Sequence, residues 1–449
     1  MTILRLFLVL STLIWMYSCT SSRKISEVIP VVKMDTISAK IKDTAATVLK
    51  VEIDDAKTDS MLENILKSYP GDFDSILKNR KQWNVQIIYT QINRDKNNVP
   101  TFKDFFFNID SLKYFYPASV VKMPVAMLAL QKLNELAGTS IRKSTSMITE
   151  AGYAGQTATY NDPQTADGRP TIESDIKRIF LVSDNEAFNR LYEFLGQEYI
   201  NEELHKKGFK DVEILHRLNI FLSEDENRHT NPIKFMDGNN KIIYSQPLTF
   251  NEAFFSKRND SVGQAFVTGN KIVEMPMDFS KKNRISLQDL HYILRSAIFP
   301  ADVAEDRKFN LIDSDYVFLH QYMSEFPSES IYPSYDSTNF PDAYGKFLLY
   351  GSTKNPLPKN IRIFNKVGDA YGQLTDVAYI TDFDKNIEFF LSATIYCNAD
   401  GIINDDKYDY DTIGLPFMKN VGQALYNFEV ARKRTYPPDL SSFKLTYDK

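Results

Sequence analysis

Segments typical of β-strands lie towards both ends of the chain, and segments typical of helices lie between them. Residues 84–91 (NVQIIYTQ) and 101–109 (TFKDFFFNI) are rich in β-branched and aromatic side chains and flank a turn signal, which predicts a hairpin. Three more strands are predicted near the other end, at 362–366, 375–381 and 387–397. This order predicts an antiparallel sheet built from both chain ends.

The middle of the chain has helical periodicity. Residues 119–136 give the clearest helix, because apolar side chains recur there three or four residues apart. Helices are also predicted from residue 59 onwards and at 172–181, 185–195, 285–298, 314–326 and 415–434. We therefore expect an α/β fold of the α+β sandwich type, in which an all-helical lobe is inserted between the strands of the sheet.

The domain boundaries follow from composition. Residues 1–18 contain Arg5 as their only charge and an apolar run too short to span a membrane, so we expect a signal peptide. Residues 19–58 lack aromatic side chains and are expected to form a tether. The main domain is predicted at 59–436, with insertions near 231–284 and 300–360, and a C-terminal tail at 437–449.

The sequence around Cys19 resembles a lipoprotein processing site, because a small residue, Ser18, directly precedes the cysteine after an apolar run. Cleavage there would leave Cys19 as a lipid-modified N-terminus. We therefore expect a protein anchored by lipid to a membrane of the bacterial cell envelope, on the extracytoplasmic (periplasmic) side. An ordinary secretory signal and an uncleaved anchor are the alternatives.

The net charge and the cysteines and histidines limit which partners and cofactors we expect. The formal net charge is -5 and no basic run occurs, so we expect no nucleic acid partner. Besides Cys19 the chain has only Cys397, which lies in an apolar run and is predicted to be a buried thiol. No group of cysteines and histidines has metal-ligand spacing, so we expect neither a metal nor another cofactor. We also expect a monomer.

Ser119 and Lys122 are spaced to share a face at the start of the predicted helix 119–136. Free N–H groups at a helix N-terminus favour developing negative charge, and a lysine whose pKa is lowered by burial and by a second cation can deprotonate a serine. If the pair is catalytic, we expect Lys122 Nζ within hydrogen-bond reach of Ser119. Taken alone, the pair is better explained by a serine cap and a solvated lysine.

Two further patterns also have ordinary structural explanations when taken alone. The run SDN contains strong helix-capping residues, but Ser183 could also relay a proton to a leaving group and Asn185 could bind a substrate amide. Lys366 and Gly368 end a predicted strand, where the lysine could bind a carboxylate and the glycine could let a substrate approach closely. The alternative there is a strand end with a surface lysine.

Together and in this order, the three patterns resemble the S-x-x-K, S-D-N and K-T-G motifs of class A β-lactamases and penicillin-binding proteins. The sequence around them fits as well. Residues 119–134, including Pro124, are similar to the nucleophile helix, residues 180–195 to the S-D-N helix, and residues 366–380 to the K-T-G strand and its neighbour. The resemblance covers roughly residues 59–436 and implies a β-lactamase/D,D-peptidase-like fold.

The resemblance also implies a role for each residue. Ser119 would be the acylated nucleophile, Lys122 its base, and Ser183 the proton relay. Its substrate-binding residues would be Asn185, Lys366, Gly368 and Asp369. The lysine among them would bind the substrate carboxylate, and the backbone N–H groups of Ser119 and Asp369 would form the oxyanion hole.

The chain departs from the family pattern in two places. Val367 stands where the family has Thr or Ser, whose hydroxyl helps to bind the substrate carboxylate, so we expect weaker affinity for penicillin. Asp369 brings a negative charge beside the oxyanion site, which is unfavourable unless the side chain points away. The stretch 216–232 (HRLNIFLSEDENRHTNP) lacks the E-x-x-L-N pattern that supplies the glutamate for deacylation. Glu224 and Glu226 lie near the end of this stretch and are better explained as solvated acids, so we expect slow hydrolysis of an acyl-enzyme.

These features predict a β-lactamase-like serine hydrolase that is acylated by β-lactams or by D-Ala-D-Ala-type peptidoglycan peptides, with inefficient β-lactam hydrolysis. A D,D-peptidase is one alternative. A catalytically impaired module that binds or senses cell-wall peptides or β-lactams is a second. An esterase or amidase for an unrelated acyl substrate is a third.

Overall fold

The computed structural model describes residues 56–136, 138–255 and 257–449. The helices are α1 (Ser60–Lys67), α2 (Pro70–Lys78), α3 (Lys122–Glu135), α4 (Ile172–Val182), α5 (Asn185–Leu195), α6 (Gln197–Lys206), α7 (Glu224–Arg228), α8 (Leu287–Ile298), α9 (Asp313–Ser324), a short kinked turn α10 (Phe347–Tyr350) and α11 (Leu415–Ala431). The strands are β1 (Gln86–Arg94), β2 (Pro100–Phe107), β3 (Ser146–Thr149), β4 (His229–Thr230), β5 (Ile233–Met236), β6 (Ile242–Gln246), β7 (Thr249–Phe250), β8 (Ser261–Val262), β9 (Ala265–Thr268), β10 (Lys271–Val273), β11 (Met277–Asp278), β12 (Ile361–Ala370), β13 (Gln373–Asp382), β14 (Ile387–Tyr396) and β15 (Ile402–Ile403).

A five-stranded antiparallel sheet combines the two ends of the described chain. Its strand order is β12-β13-β14-β1-β2, so the first hairpin joins the last three long strands through the pairing of β1 with β14. Both β12 and β2 are edge strands. The fold class predicted from the sequence, an antiparallel sheet from both chain ends with helices between, is confirmed.

Both faces of the sheet are covered by helices, which is why β13 and β14 are buried along nearly their whole length. On one face, apolar side chains of α1, α2 and α11 pack against the sheet. On the other face, α8 and α9 lie against the sheet and join α3, α4 and α5 in the larger core of the helical lobe. Cys397, directly after β14, is a buried free thiol, as predicted.

The helix predicted at 119–136 differs from expectation at its start. Residues Ala118–Val121 form a 3-10 turn, and α-helical structure begins only at Lys122. Pro124 is then the third residue of the α-helix, in the first turn, where backbone N–H groups have no partner within the helix anyway. The proline therefore fits the helix without removing an interior hydrogen bond.

The two segments predicted to be insertions both contain regular elements. Residues 231–284 form the hairpin of β5 and β6 and then the small strands β8 to β11. Residues 300–360 form α9, α10 and the irregular segments around them. From the segment after α11, Leu440 and Phe443 are buried in the core of the helical lobe.

Within the described ranges, no helix is both long and apolar enough to cross a bilayer. The predicted signal peptide, Cys19 and nearly all of the predicted tether lie outside the described residues.

Candidate active site

Ser119 lies in the 3-10 turn that leads into α3, and its side chain is half-buried. The residue before it, Ala118, has a φ of 47°, a left-handed conformation that is costly for a residue with a Cβ atom. The fold therefore imposes an unusual backbone conformation directly before the serine. The position at the N-terminal end of a 14-residue helix also favours negative charge at the serine oxygen.

Lys122 is fully buried, and its amino group joins α3 to the loop between α4 and α5. Lys122 Nζ donates to the Ser183 carbonyl oxygen at 2.5 Å, to Asn185 Oδ1 at 2.7 Å and to Ser183 Oγ at 3.3 Å. Burial lowers its pKa well below the usual lysine value, and the positive charge of Lys366 lowers the pKa further. The solvated lysine considered from the sequence is therefore excluded.

The hydrogen bond expected between Lys122 and Ser119 is not present among the described residues. The amino group of Lys122 instead donates hydrogen bonds to Ser183, in the loop between α4 and α5, and to Asn185 directly after it. The physical reason is that the loop offers a carbonyl and an amide oxygen to a buried ammonium group, which needs acceptors. Hydrogen bonds of a base to a nucleophile are often long or poorly aligned without substrate.

Ser183 and its neighbour Asp184 shape the turn between two helices. Ser183 ends α4 in a left-handed conformation, with a φ of 59°, and Asp184 caps α5 by accepting a hydrogen bond from the Ala187 N–H at 2.9 Å. The capping explanation considered from the sequence is thus correct for Asp184. Because Asp184 provides the cap, the Ser183 hydroxyl can accept hydrogen bonds from the two lysines.

Lys366 lies on the edge strand β12 and also contacts Ser183. Its Nζ donates to Ser183 Oγ at 2.9 Å and to the Val367 carbonyl oxygen at 2.8 Å. Burial lowers its pKa to about 7, although the carboxylates of Asp369 and Asp376 act in the opposite direction. The surface lysine considered from the sequence is therefore also excluded.

Gly368 brings β12 directly against the turn that carries Ser119. A Cβ atom at this position would lie 2.6 Å from the Pro117 carbonyl oxygen and 2.9 Å from the backbone nitrogens of Ser119 and Val120. These are backbone atoms that cannot easily move aside. The glycine is therefore needed for the close packing of strand and turn.

The two residues that depart from the family pattern have different environments. Val367 is buried in the apolar cluster that includes Phe417 of α11. Asp369 is exposed, and its charge acts on both Lys122 and Lys366. No contact in the structure assigns its N–H to an oxyanion hole, so that role stays a prediction.

The stretch 216–232 is anchored by Arg217, which is buried and paired with Glu193 at 2.9 Å. Glu224 is exposed and pairs with Lys281. Glu226 forms a capping box with Ser223 at the start of α7. Both acids therefore have the structural explanations favoured from the sequence.

A cavity of about 360 Å³ begins at Asn185 and runs between α5 and the stretch after Arg217. Its polar lining includes two residues that the sequence analysis did not select, Glu186 and Asn189. Asn189 holds the loop by accepting from the Leu218 N–H at 2.8 Å and donating to the Leu218 carbonyl at 3.0 Å. Its position one helical turn after Asn185 was the available sequence signal.

In the described part of the chain, no group of three or more histidine, cysteine, aspartate or glutamate side chains is placed to hold a metal ion.

Residues 71–250 match the sequence model of a family described as the β-lactamase enzyme family. This match spans less than half of the chain. It contains the residues of the first two motifs, Ser119, Lys122, Ser183 and Asn185, whereas Lys366 lies beyond it. The region that carries the serine and its buried lysine is therefore β-lactamase-like.

Solved structures with overall similarity to the chain include a β-lactamase from Sphaerobacter thermophilus, at 12% identity and a TM-score of 0.44 over 84% of this chain and 98% of that chain. A β-lactamase from Chitinophaga pinensis has 11% identity and a TM-score of 0.44 over 82% of this chain and 97% of that chain. An acyl-enzyme complex of a PBP-A mutant with penicillin G has 14% identity and a TM-score of 0.43 over 82% of this chain and 96% of that chain. No curated protein sequence matches the chain.

Proposed function

We propose that this protein is a serine hydrolase that forms an acyl-enzyme on Ser119 with β-lactams or D-Ala-D-Ala-type amides. The observation that carries the proposal is the Ser183 hydroxyl, which accepts hydrogen bonds from both Lys122 and Lys366. Burying two lysines around one hydroxyl is energetically unfavourable, because each amino group loses its hydration. Such an arrangement is characteristic of a site whose groups exchange protons.

In the proposed acylation, Ser119 Oγ forms a bond to the carbonyl carbon of the amide while its proton moves to the neutral amino group of Lys122. The lowered pKa of Lys122 supports this role, because a base must be unprotonated before it can act. When the C–N bond breaks, the amine nitrogen takes a proton from Ser183, which is restored from Lys122 through their 3.3 Å contact. The products are a serine ester and a neutral amine.

The second step, hydrolysis of the ester, is proposed to be slow. Glu224 is exposed and engaged in a surface ion pair, and Glu226 is half-buried and engaged in a helix cap. The carboxylates that line the cavity beside Asn185 are those of Glu193, which is buried and paired with arginines, and Glu186. A slowly hydrolysed ester would resemble the behaviour of a D,D-peptidase towards penicillin more than that of an efficient β-lactamase.

A module that binds without turnover is the second candidate. Two observations favour it: Lys122 has no hydrogen bond to Ser119 in the described structure, and Val367 removes a hydroxyl from the third motif.

The test is intact-mass spectrometry of the full chain, in detergent, mixed with benzylpenicillin and sampled over time. We expect an adduct of one penicillin that is lost in Ser119→Ala and kept in Ser245→Ala, a matched change at an exposed serine of β6. A long-lived adduct would indicate behaviour like that of a D,D-peptidase, and a short-lived adduct would indicate an efficient β-lactamase. Reversible binding without an adduct would support the binding module and refute acylation.

We also propose that Cys19 carries lipid, that the protein is held at the extracytoplasmic side of a bacterial membrane, and that it acts as a monomer. The support is the sequence around Ser18 and Cys19. Metabolic labelling with an alkyne fatty acid should mark the wild-type chain and not Cys19→Ala. Light scattering of the purified chain tests the oligomeric state. Labelling that persists in the variant, or a defined oligomer, would refute the respective statement.

A further inference from the structure

The end of β12 that faces Ser119 carries an exposed carboxylate. Gly368 touches the backbone of the nucleophile turn, so the next residue, Asp369, stands at the mouth of the site. Its charge acts on Lys122 and Lys366, and also on the hydroxyls of Tyr344 and Tyr410. Asp369 is thus close to the groups that would surround the departing part of a substrate.

The groups that could offset this charge are already engaged. Lys366 Nζ is fully buried and donates to Ser183 Oγ and to the Val367 carbonyl. Burial lowers its pKa to about 7, so a large part of this lysine is neutral at physiological pH. Burial raises the pKa of the Asp369 carboxyl, and the positive charges of Lys366 and Lys122 act in the opposite direction.

The neighbouring side chain adds no donor for an anion. Val367 has no donor group, and its side chain is buried in the apolar cluster that includes Phe417 of α11. An anion placed at this end would meet one carboxylate and a lysine that already has two acceptors. Charge repulsion at such short range discriminates strongly between ligands.

We propose that Asp369 is a specificity-determining residue that, among the amides of the proposed function, favours those whose leaving group is neutral or cationic over those whose leaving group bears a carboxylate. This inference rests on the proposed function, because it names the substrate class of the same site. It predicts that a peptide bond to an amidated or amine-bearing residue is a better substrate than a bond to a residue with a free C-terminal carboxylate.

The test compares benzylpenicillin, whose carboxylate lies on the leaving-group side, with its neutral methyl ester. Acylation rates of the full chain are measured by intact mass at low salt. We expect the ester-to-acid rate ratio of the wild type to fall about tenfold in Asp369→Asn. Because the ratio is compared between variants, the intrinsic reactivities of the two compounds cancel.

Two controls sharpen this comparison. Asp384→Asn changes an exposed aspartate after the distant end of β13 and should leave the ratio unchanged. Salt at about 1 M should lower the wild-type ratio by screening and should not affect Asp369→Asn. A ratio that is the same in wild type and Asp369→Asn would overturn the inference. So would a wild type that acylates faster with the free acid.

A binding experiment separates this inference from the proposed acylation. Ser119→Ala cannot be acylated, so titration calorimetry with the two compounds reports the preference of the site alone. Tighter binding of the ester supports the role of Asp369 even if the wild type forms no adduct, an outcome that would refute only acylation. Equal binding, tighter binding of the acid or no binding of either compound would overturn the inference.

Discussion

The amino groups of Lys122 and Lys366 both donate to the hydroxyl of Ser183, at 3.3 and 2.9 Å. Because both nitrogens bond the same oxygen, they lie within about 6 Å of each other, where two positive charges repel strongly. Each lysine is also almost completely buried. The lowest-energy state of this group therefore has at least one neutral lysine at physiological pH, which is the state that a base requires.

Removing the shared hydroxyl should slow acylation without unfolding the loop. Ser183 has a φ of 59°, so Ser183→Gly deletes the hydroxyl and at the same time suits the backbone conformation. We expect the acylation rate to fall roughly 10²- to 10⁴-fold, the range for loss of a proton-transfer group, with little change in Tm.

Ser245→Ala changes an exposed serine of β6 and controls for effects of substitution and purification that do not involve the site. A Ser183→Gly protein that is acylated at the wild-type rate would show that the hydroxyl plays no part in proton transfer.

Replacing Lys366 by an uncharged residue should move the pH dependence of acylation. The positive charge of Lys366 is the second cause, after burial, of the lowered pKa of Lys122. In Lys366→Met the pKa of Lys122 rises, so the ascending limb of the rate profile should shift to higher pH by about one unit. The measurement is the acylation rate from pH 5 to pH 10.

Lys366→Arg keeps the positive charge and is the matched comparison, for which no upward shift is expected. Lys366→Met also loses the hydrogen bond to Ser183, which can lower the absolute acylation rate. The pH at which the rate rises still reports the pKa of Lys122. If the acylation rate rises at the same pH in Lys366→Met and in the wild type, the charge of Lys366 does not influence the pKa of Lys122.

A methyl group at Gly368 should displace the nucleophile turn. The added Cβ atom would meet the Pro117 carbonyl oxygen at 2.6 Å and the Ser119 nitrogen at 2.9 Å. We expect Gly368→Ala to lose about 10²-fold in acylation rate, because small displacements of a nucleophile are that costly. Overpacking should also lower the free energy of unfolding by about 1–3 kcal/mol.

Gly238→Ala is the control, since a Cβ atom there has no neighbour within 4 Å. It should change neither the rate nor the stability by a measurable amount. Wild-type kinetics in Gly368→Ala would mean that the strand and the turn can separate without consequence for the site.

The sequence predicted the parts of the fold that depend on local pattern. The long strands and the helices of the lobe follow from periodicity, and their bounds shift by a few residues at most. The resemblance to the family motifs, and not local pattern, predicted that Ser119, Lys122, Ser183 and Lys366 would belong to one site. Ser119 and Ser183 lie at helix ends, whereas Lys366 lies within the strand β12.

Other features depend on distances between segments that are far apart in sequence. The partners of Lys122 belong to a loop about sixty residues away, so the missing bond to Ser119 could not be read from the S-x-x-K spacing. The burial of Lys366 also contradicts the usual exposure of lysine. Apart from the predicted helix at 314–326, the segment 300–360 showed no clear pattern, and it supplies another buried lysine, Lys346.

Stability should rise with pH above neutrality because of this third lysine. Lys346 Nζ donates to Met323 and Ile363 carbonyl oxygens and to Asn365 Oδ1, behind β12. Burial lowers its pKa from 10.5 to about 7. Between these two pH values the unfolded chain binds the proton and the folded chain does not, so the free energy of unfolding increases with pH.

The increase should be roughly 1.4 kcal/mol per pH unit for each such lysine, and Lys366, Lys122 and Lys132 add to it because their pKa values are lowered in the same direction. Urea denaturation at pH 7, 8 and 9 measures the slope, below the range in which tyrosines ionise. Lys346→Met should flatten it by about a third, because Lys366, Lys122 and Lys132 still contribute, whereas Lys354→Met, at an exposed position, should leave it unchanged. A wild-type stability that is flat or falls across this range would show that these buried lysines keep their protons when the chain folds. The pKa of Lys366 would then be too high for the lysine to be largely neutral at physiological pH.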